Sequence, residues 1–178
     1  MSGLLFLTDD YFKVMSTPKG DVLGNTIRGI SLVLFFSTQC QYCHQFIPVF
    51  KKLPGTVGGC QFGMINISTN RSVVEKSKNT NSPLSYVPYI VIYVNGMPVM
   101  SYDGPADENS IKKFVMDIVD TLQAKQQFTN NNQTSQNQNQ LQLVDNTPVA
   151  PNDIPAYTIG KPKDSDKCYL TWDSAYAS

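Results

Sequence analysis

The sequence predicts an α/β fold, a sheet covered by helices, from three patterns. Residues 31–36 form an almost uninterrupted run of apolar, β-forming residues, typical of a central strand covered on both faces. Residues 89–94 and 99–102 flank Asn95-Gly96, a dipeptide that favours a two-residue antiparallel hairpin. Between residues 111 and 122 apolar side chains recur every three or four positions, which predicts an amphipathic helix lying on the sheet.

Weaker patterns predict the remaining elements. Residues 4–7 read as a short strand, and the Thr8-Asp9-Asp10 cluster then predicts the cap of a helix that contains Tyr11, Phe12, Val14 and Met15. Apolar positions recur at helical spacing after residue 45 until Pro54-Gly55 ends the pattern. Residues 62–67 are expected to form another strand and residues 72–78 a short polar helix.

The chain divides into one domain and an appendage. With 178 residues, of which 41% are hydrophobic, it can bury one good core. We assign residues 1–125 to the domain and the Asn/Gln-rich residues 126–147 to a flexible linker, because too few apolar side chains are present to order it. Residues 148–178 form an extended, proline-containing tail. Its aromatic end, residues 168–172, indicates either a docking segment for its own domain or a partner, or an unstructured end.

Charge and targeting patterns exclude several classes of partner. Fourteen basic residues balance fourteen acidic ones, so no overall field draws the protein to nucleic acid or to an anionic membrane. Residues 1–14 lack the features of a secretory signal, and no stretch has the length of a membrane span. We therefore expect a soluble, cytoplasmic protein.

The chain has four cysteines, and two of them form Cys40-Gln41-Tyr42-Cys43. In the reducing cytosol such a pair is more often catalytic or metal-binding than a structural disulfide. At a strand-to-helix turn, the first sulfur would be exposed where the helix dipole and backbone N–H groups favour a thiolate. Cys40 is the expected nucleophile, and Cys43, one turn later, is the expected resolving thiol.

Over residues 4–124 these motifs resemble the thioredoxin superfamily, which includes the domains of protein disulfide isomerases. The matching segments are Leu7 to Phe12 at the entry to the first helix, residues 31–36 in the central strand, Pro48 in the helix, residues 86–96 at the cis-proline loop and hairpin, and Gly104. The resemblance implies a thioredoxin-like fold with a central mixed β-sheet flanked by helices, here extended by the C-terminal tail.

By the same resemblance, Pro88 would be cis and placed against the cysteine pair. The backbone of Val87 would then offer edge hydrogen bonds to a bound peptide, beside Gln41 and Tyr42. The implied activity is protein thiol–disulfide exchange with client proteins that carry cysteines or disulfides, and it requires no cofactor and no metal.

Departures from the thioredoxin pattern bear on the rate and direction of exchange. Gln39 replaces the usual tryptophan, Leu34 replaces a buried acid, and Met64 replaces its lysine neighbour. General acid–base assistance is therefore missing or differently supplied. The Cys-x-Tyr-Cys-His motif resembles that of bacterial periplasmic disulfide isomerases, which favours an oxidising or isomerising role.

Other readings of the cysteines stay open. Cys40 to His44 also spells the haem-attachment pattern, and Cys60, Cys168 or His44 could join the pair in a zinc site. His44 is expected to be either solvated or a tuning residue for the thiolates. Cys60 is expected to be a small buried residue. Cys168 is an inert residue, a regulatory thiol brought to the active pair by the linker, or a cross-link to a partner.

A structural role is the alternative function. The tail resembles that of thioredoxin-like proteins of large cytoplasmic DNA viruses, which package redox proteins. The chain would then be a binding component of a larger assembly, such as a minor capsid protein of a virion, anchored by residues 148–178. Loss of the acid–lysine pair at Leu34 and Met64 favours this alternative, since a fold does not fix a function.

Overall fold

A computed structural model describes residues 3–130, 156–158 and 167–170. Its main sheet has six strands, which are β1 (Leu4–Phe6), β4 (Ile30–Phe36), β5 (Cys60–Asn66), β7 (Tyr89–Val94), β8 (Met97–Asp103) and β9 (Ala156–Thr158). Their spatial order is β1-β5-β4-β7-β8-β9. The neighbours of β5 run parallel to it, whereas β7 runs antiparallel to both β4 and β8. The predicted central mixed sheet is confirmed.

In the described part of the chain, three helices flank this sheet, namely α1 (Cys43–Phe50), α2 (Arg71–Lys78) and α3 (Glu108–Asn130). Side chains of β4 alternate between two buried clusters. Val33 and Phe35 lie in the first cluster with residues of α2, while Leu32 and Leu34 lie in the second with residues of α1 and α3. Burial of β4 on both faces explains why its sequence is nearly all apolar. Among the described residues, no helix is long and apolar enough to cross a membrane.

The helix predicted around residues 11–15 is wrong. A 3-10 turn at Asp9–Tyr11 leads instead into β2 (Phe12–Thr17), which pairs antiparallel with β3 (Gly20–Asn25). The Thr17-Pro18-Lys19-Gly20 segment supplies a turn, and Gly20 adopts a φ of 116° that favours glycine. The buried Phe12 ring packs 5.4 Å from the Phe35 ring, so tertiary contact supports the hairpin.

The predicted Asn95-Gly96 hairpin is present between β7 and β8, with positive φ at both residues. Gly96 is also needed for close approach to β3. A Cβ at this position would lie 2.0 Å from the carbonyl oxygen of Asn25, while the Asn25 N–H donates to the Gly96 carbonyl over 2.8 Å. The hairpin therefore joins the main sheet to β3 through the backbone.

The last described helix extends into the segment predicted to be a linker. Helix α3 continues to Asn130, past the boundary placed at residue 125, and the rest of the predicted linker, 131–147, lies outside the described residues. Two described parts of the tail add strands to the domain itself. Strand β9 pairs parallel with β8, and β10 (Cys168–Tyr169) pairs antiparallel with β6 (Tyr86–Val87).

Candidate functional site

The Cys40–Cys43 segment lies between the end of β4 and the start of α1, as the sequence predicts. Two backbone hydrogen bonds shape the connection: Cys40 N–H donates to the Ser37 carbonyl over 3.2 Å, and Cys43 N–H donates to the Cys40 carbonyl over 3.1 Å. These turns hold both cysteines at the amino end of α1. Both side chains belong to the first buried cluster.

The loop before β7 faces the first cysteine. The Val87–Pro88 peptide bond is cis. The Val87 carbonyl oxygen lies 3.5 Å from Cys40 Sγ. Residues 40 and 87, far apart in the sequence, therefore lie side by side in the structure.

Cys40 differs from the exposed free thiol that the sequence predicted. It forms a disulfide with Cys168, with the two Cα atoms 6.0 Å apart, and it is only 3% exposed. The expectation of an unpaired Cys40 is therefore wrong in this structure, and of the three alternatives for Cys168 the inert residue does not fit the observed disulfide. The physical reason is proximity: the β10 strand places Cys168 directly over the cysteine turn.

Backbone pairing holds the Cys168 segment in place. Cys168 is opposite Val87 and Tyr169 is opposite Tyr86 in an antiparallel register. Next to this pair, the Leu170 N–H donates to the Ser85 carbonyl over 2.7 Å. The tail segment thus adds a strand to the edge of the cis-proline loop, which is a common way for a protein to bind an extended peptide.

Lys167 makes two further contacts beside the disulfide. Its Nζ lies 3.3 Å from Asp103 Oδ2 and 4.4 Å from the centroid of the Tyr86 ring. The Lys167 and Asp103 side chains are only 12% and 23% exposed, so water screens this ion pair less than a fully exposed one. On the same ring, Tyr169 packs at 5.9 Å. Sequence analysis missed Ser85, Asp103 and Lys167, because no motif marks them, and it placed Tyr86 in the cis-proline loop without giving its side chain a role.

Cys43 is a free and fully buried thiol. Burial raises its pKa to about 11, although a hydrogen bond from the Ser37 backbone N–H, 3.5 Å from Cys43 Sγ, opposes the increase. A thiol must lose its proton before it attacks a disulfide, so Cys43 is mostly unreactive at neutral pH in this arrangement.

No buried charged group lies at the positions where the family has an acid and a lysine. Leu34 and Met64 face each other across β4 and β5, and both are buried in the second cluster. The buried polar side chains of the described residues are all Ser, Thr or Asn, and none of them carries a charge. Among the described residues, no buried charged side chain therefore lies beside Cys43 at these two positions.

The other predicted site residues have peripheral positions. Gln41 is exposed, and Tyr42 packs half-buried against the first cluster. His44 is exposed, with its Nε2 3.1 Å from the Thr38 carbonyl oxygen rather than on a thiol. Cys60 is buried as expected, and burial raises its pKa to about 12. Within the described part of the chain, no group of three or more His, Cys, Asp or Glu side chains could hold a metal ion.

Comparison with known proteins identifies several relatives of this chain. Two viral proteins are similar along nearly their whole length. Uncharacterized protein 196R of Invertebrate iridescent virus 6 is 30% identical over 183 residues, 99% of this chain and 95% of that protein. Uncharacterized protein 020R of Invertebrate iridescent virus 3 is 33% identical over 178 residues, 98% of this chain and 96% of that protein.

A plant protein is similar over about half of this chain. Protein disulfide-isomerase like 2-2 of Arabidopsis thaliana is 26% identical over 95 residues, 53% of this chain and 20% of that protein. The fold with its Cys40–Cys43 pair suggests a thiol–disulfide oxidoreductase. Residues 22–117, more than half of the sequence, match the family described as Thioredoxin, and the chain belongs to that family.

Proposed function

We propose that this protein is a thiol–disulfide oxidoreductase that exchanges disulfides with client proteins, with Cys40 as nucleophile and Cys43 as resolving thiol. One observation carries the proposal: Cys40 is already bonded to a cysteine on an extended segment that pairs with Val87. This is the arrangement expected of a mixed disulfide between enzyme and client. Pro88 adjoins that edge, and Gln41 and Tyr42 would contact the client on the other side of Cys40.

The exchange proceeds in two balanced steps. The Cys40 thiolate attacks a client disulfide, forms a bond to one client sulfur and expels the other as a thiolate. The Cys43 thiolate then attacks Cys40 Sγ, forms the Cys40–Cys43 disulfide and expels the remaining client sulfur. The client gains two electrons and the protein loses two. The reverse sequence inserts a disulfide into a reduced client.

Slow attack of Cys43 on the disulfide between Cys40 and a client favours isomerisation or oxidation of clients over their rapid reduction. The buried Cys43 has a pKa of about 11 and lacks a charged neighbour at Leu34 or Met64 that could take its proton. A mixed disulfide on Cys40 therefore persists, which leaves time for another client cysteine to attack it. The lifetime of the Cys40–client disulfide, followed by acid quenching and alkylation over time, tests this direction.

Single-cysteine variants of the full chain test the function itself. In a Cys168→Ser background, which leaves Cys40 unpaired, and with a peptide disulfide that releases a coloured thiol, Cys40→Ser should abolish exchange, whereas Cys43→Ser should accumulate a mixed disulfide with the peptide. Cys60→Ala is the matched control, because its buried thiol lies outside the site and the variant should exchange normally. Full activity in Cys40→Ser would overturn the assignment.

A further inference from the structure

We propose that the groove along Ser85, Tyr86 and Val87 selects client segments with a cation just before the reactive cysteine and an apolar side chain two residues after it. The proposal rests on the proposed function and names its substrate class. It treats residues 167–170 as an internal copy of a client, bound at the site where clients bind.

The cation position is the better defined of the two. Lys167, the residue before Cys168, has an Asp103 carboxylate oxygen at 3.3 Å and the face of the Tyr86 ring at 4.4 Å. A carboxylate and an aromatic face both attract a cation, and their combined effect is larger at a partly buried site. A client with a glutamate there would place like charges together, so this position also rejects acidic segments.

The apolar position follows from strand alternation. Successive side chains of an extended segment point to opposite sides, so Cys168 and Leu170 share one side while Lys167 and Tyr169 share the other. Cys168 and Leu170 both pack against the first buried cluster. Tyr169 is 59% exposed beside the Tyr86 ring, so the residue directly after the cysteine contributes less to selection.

Backbone contacts supply affinity without selecting a sequence. The Leu170 N–H donates to the Ser85 carbonyl, and Cys168 pairs with Val87 whatever side chains are present. Specificity must therefore come from the flanking side chains, since main-chain pairing gives affinity and side-chain pockets give discrimination. Asp103 lies on β8, outside the cysteine turn, so it can be changed without altering the reacting thiols.

The test uses the full chain with Cys43→Ser and Cys168→Ser, loaded as a disulfide between Cys40 and glutathione. A peptide copying residues 165–171 is added, together with versions carrying Lys167→Glu or Leu170→Ser. The peptide thiolate attacks Cys40 Sγ, a Cys40–peptide disulfide forms and glutathione thiolate leaves. Mass spectrometry gives the exchange constant of each peptide, and exchange with free oxidised glutathione corrects for differences in thiol reactivity.

The parent peptide should exceed the Lys167→Glu peptide by about tenfold in the corrected constant. The Leu170→Ser peptide should be about fivefold weaker than the parent, since it removes one buried apolar side chain. Asp103→Asn should reduce the ratio of the constants of the parent and Lys167→Glu peptides, and Asp103→Lys should invert this ratio. Neither variant should change the ratio of the constants of the parent and Leu170→Ser peptides. Because each ratio compares two peptides on the same protein variant, competition from that variant's own tail affects both peptides equally and cancels.

Two failures are distinguishable. If every peptide forms a disulfide with Cys40 but the ratios are near one and independent of residue 103, the selectivity proposal is overturned while the exchange function stands. If no peptide displaces glutathione from Cys40, the proposed function fails and the selectivity proposal fails with it.

Discussion

Cys168 is bonded to Cys40 from a position 128 residues away in the sequence, and at the same time it is the strand partner of Val87. The covalent and the backbone contact involve the same residue and support each other. A cysteine brought to Cys40 by chance would need neither the register with Val87 nor the hydrogen bond from Leu170 to Ser85. The Cys40–Cys168 disulfide is therefore the covalent part of a specific binding arrangement.

Release of Cys168 should depend steeply on pH. Cys43 must be a thiolate to attack Cys40 Sγ and expel Cys168, and burial raises the Cys43 pKa to about 11. Below that pKa the thiolate fraction rises with pH, so the release rate should increase about tenfold for each pH unit between about 7 and about 9. Protein prepared in acid is shifted to each pH with excess maleimide, and modified Cys168 is counted over time.

The control for this experiment is Cys43→Ser, in which Cys168 should stay unmodified throughout. A release rate that does not vary with pH would contradict the assignment of Cys43 as the attacking thiol. Buried Cys60, with a pKa of about 12, should remain unmodified in both proteins.

Lys167→Glu should shift the disulfide from Cys40–Cys168 toward Cys40–Cys43. The change replaces an ion pair with Asp103 and a cation–ring contact with Tyr86 by repulsion, so the ratio of the two disulfides should fall about tenfold. Acid quenching, alkylation and peptide mapping give the ratio at equilibrium. Lys167→Arg keeps the positive charge and should retain most of the Cys40–Cys168 disulfide. An equal loss in both variants would indicate general disruption of the segment.

Leu170→Pro tests the backbone contact separately from the side chains. Proline has no N–H to donate to the Ser85 carbonyl, and the extended Tyr169 before it is compatible with a following proline. The loss of one hydrogen bond and an unpaired carbonyl should lower the Cys40–Cys168 fraction by about tenfold relative to Leu170→Ala, which keeps the N–H. Equal fractions in the two variants would mean that the strand pairing contributes nothing.

Local patterns in the sequence predicted the parts of the fold that local physics determines. The apolar run of β4, the Asn95-Gly96 hairpin and the amphipathic α3 each have a periodicity or turn signal that survives in the structure. The segment from Phe12 to Thr17 was misassigned because its apolar spacing fits a helix as well as a strand. Its partner strand β3 and the contact with Phe35 decide between them, and neither is local.

The cysteine turn was predictable, but the partner of Cys40 was not. Four cysteines allow several pairings, and sequence alone does not choose among them. Strand β10 has only two residues, Cys168 and Tyr169, and so carries no measurable alternation. The roles of Asp103 and Tyr86 were not predictable either, because they depend on contacts with Lys167, which is distant from both in the sequence. A role in a larger assembly or a virus particle stays a prediction.

The hairpin that carries β8, and with it Asp103, depends on Gly96 for two separable reasons. Gly96 has a φ of 82°, and an added Cβ would meet the Asn25 carbonyl oxygen at 2.0 Å. Gly55 has a similar φ of 81° but open space around the position of its Cβ, so it isolates the conformational cost alone. Gly55→Ala should reduce the free energy of unfolding by about 1 kcal/mol, from the left-handed backbone. Gly96→Ala should cost at least about 2 kcal/mol more, because β3 must move away from the hairpin. Urea unfolding of both variants measures the difference. Equal losses in the free energy of unfolding would show that the close approach of Asn25 does not contribute to stability.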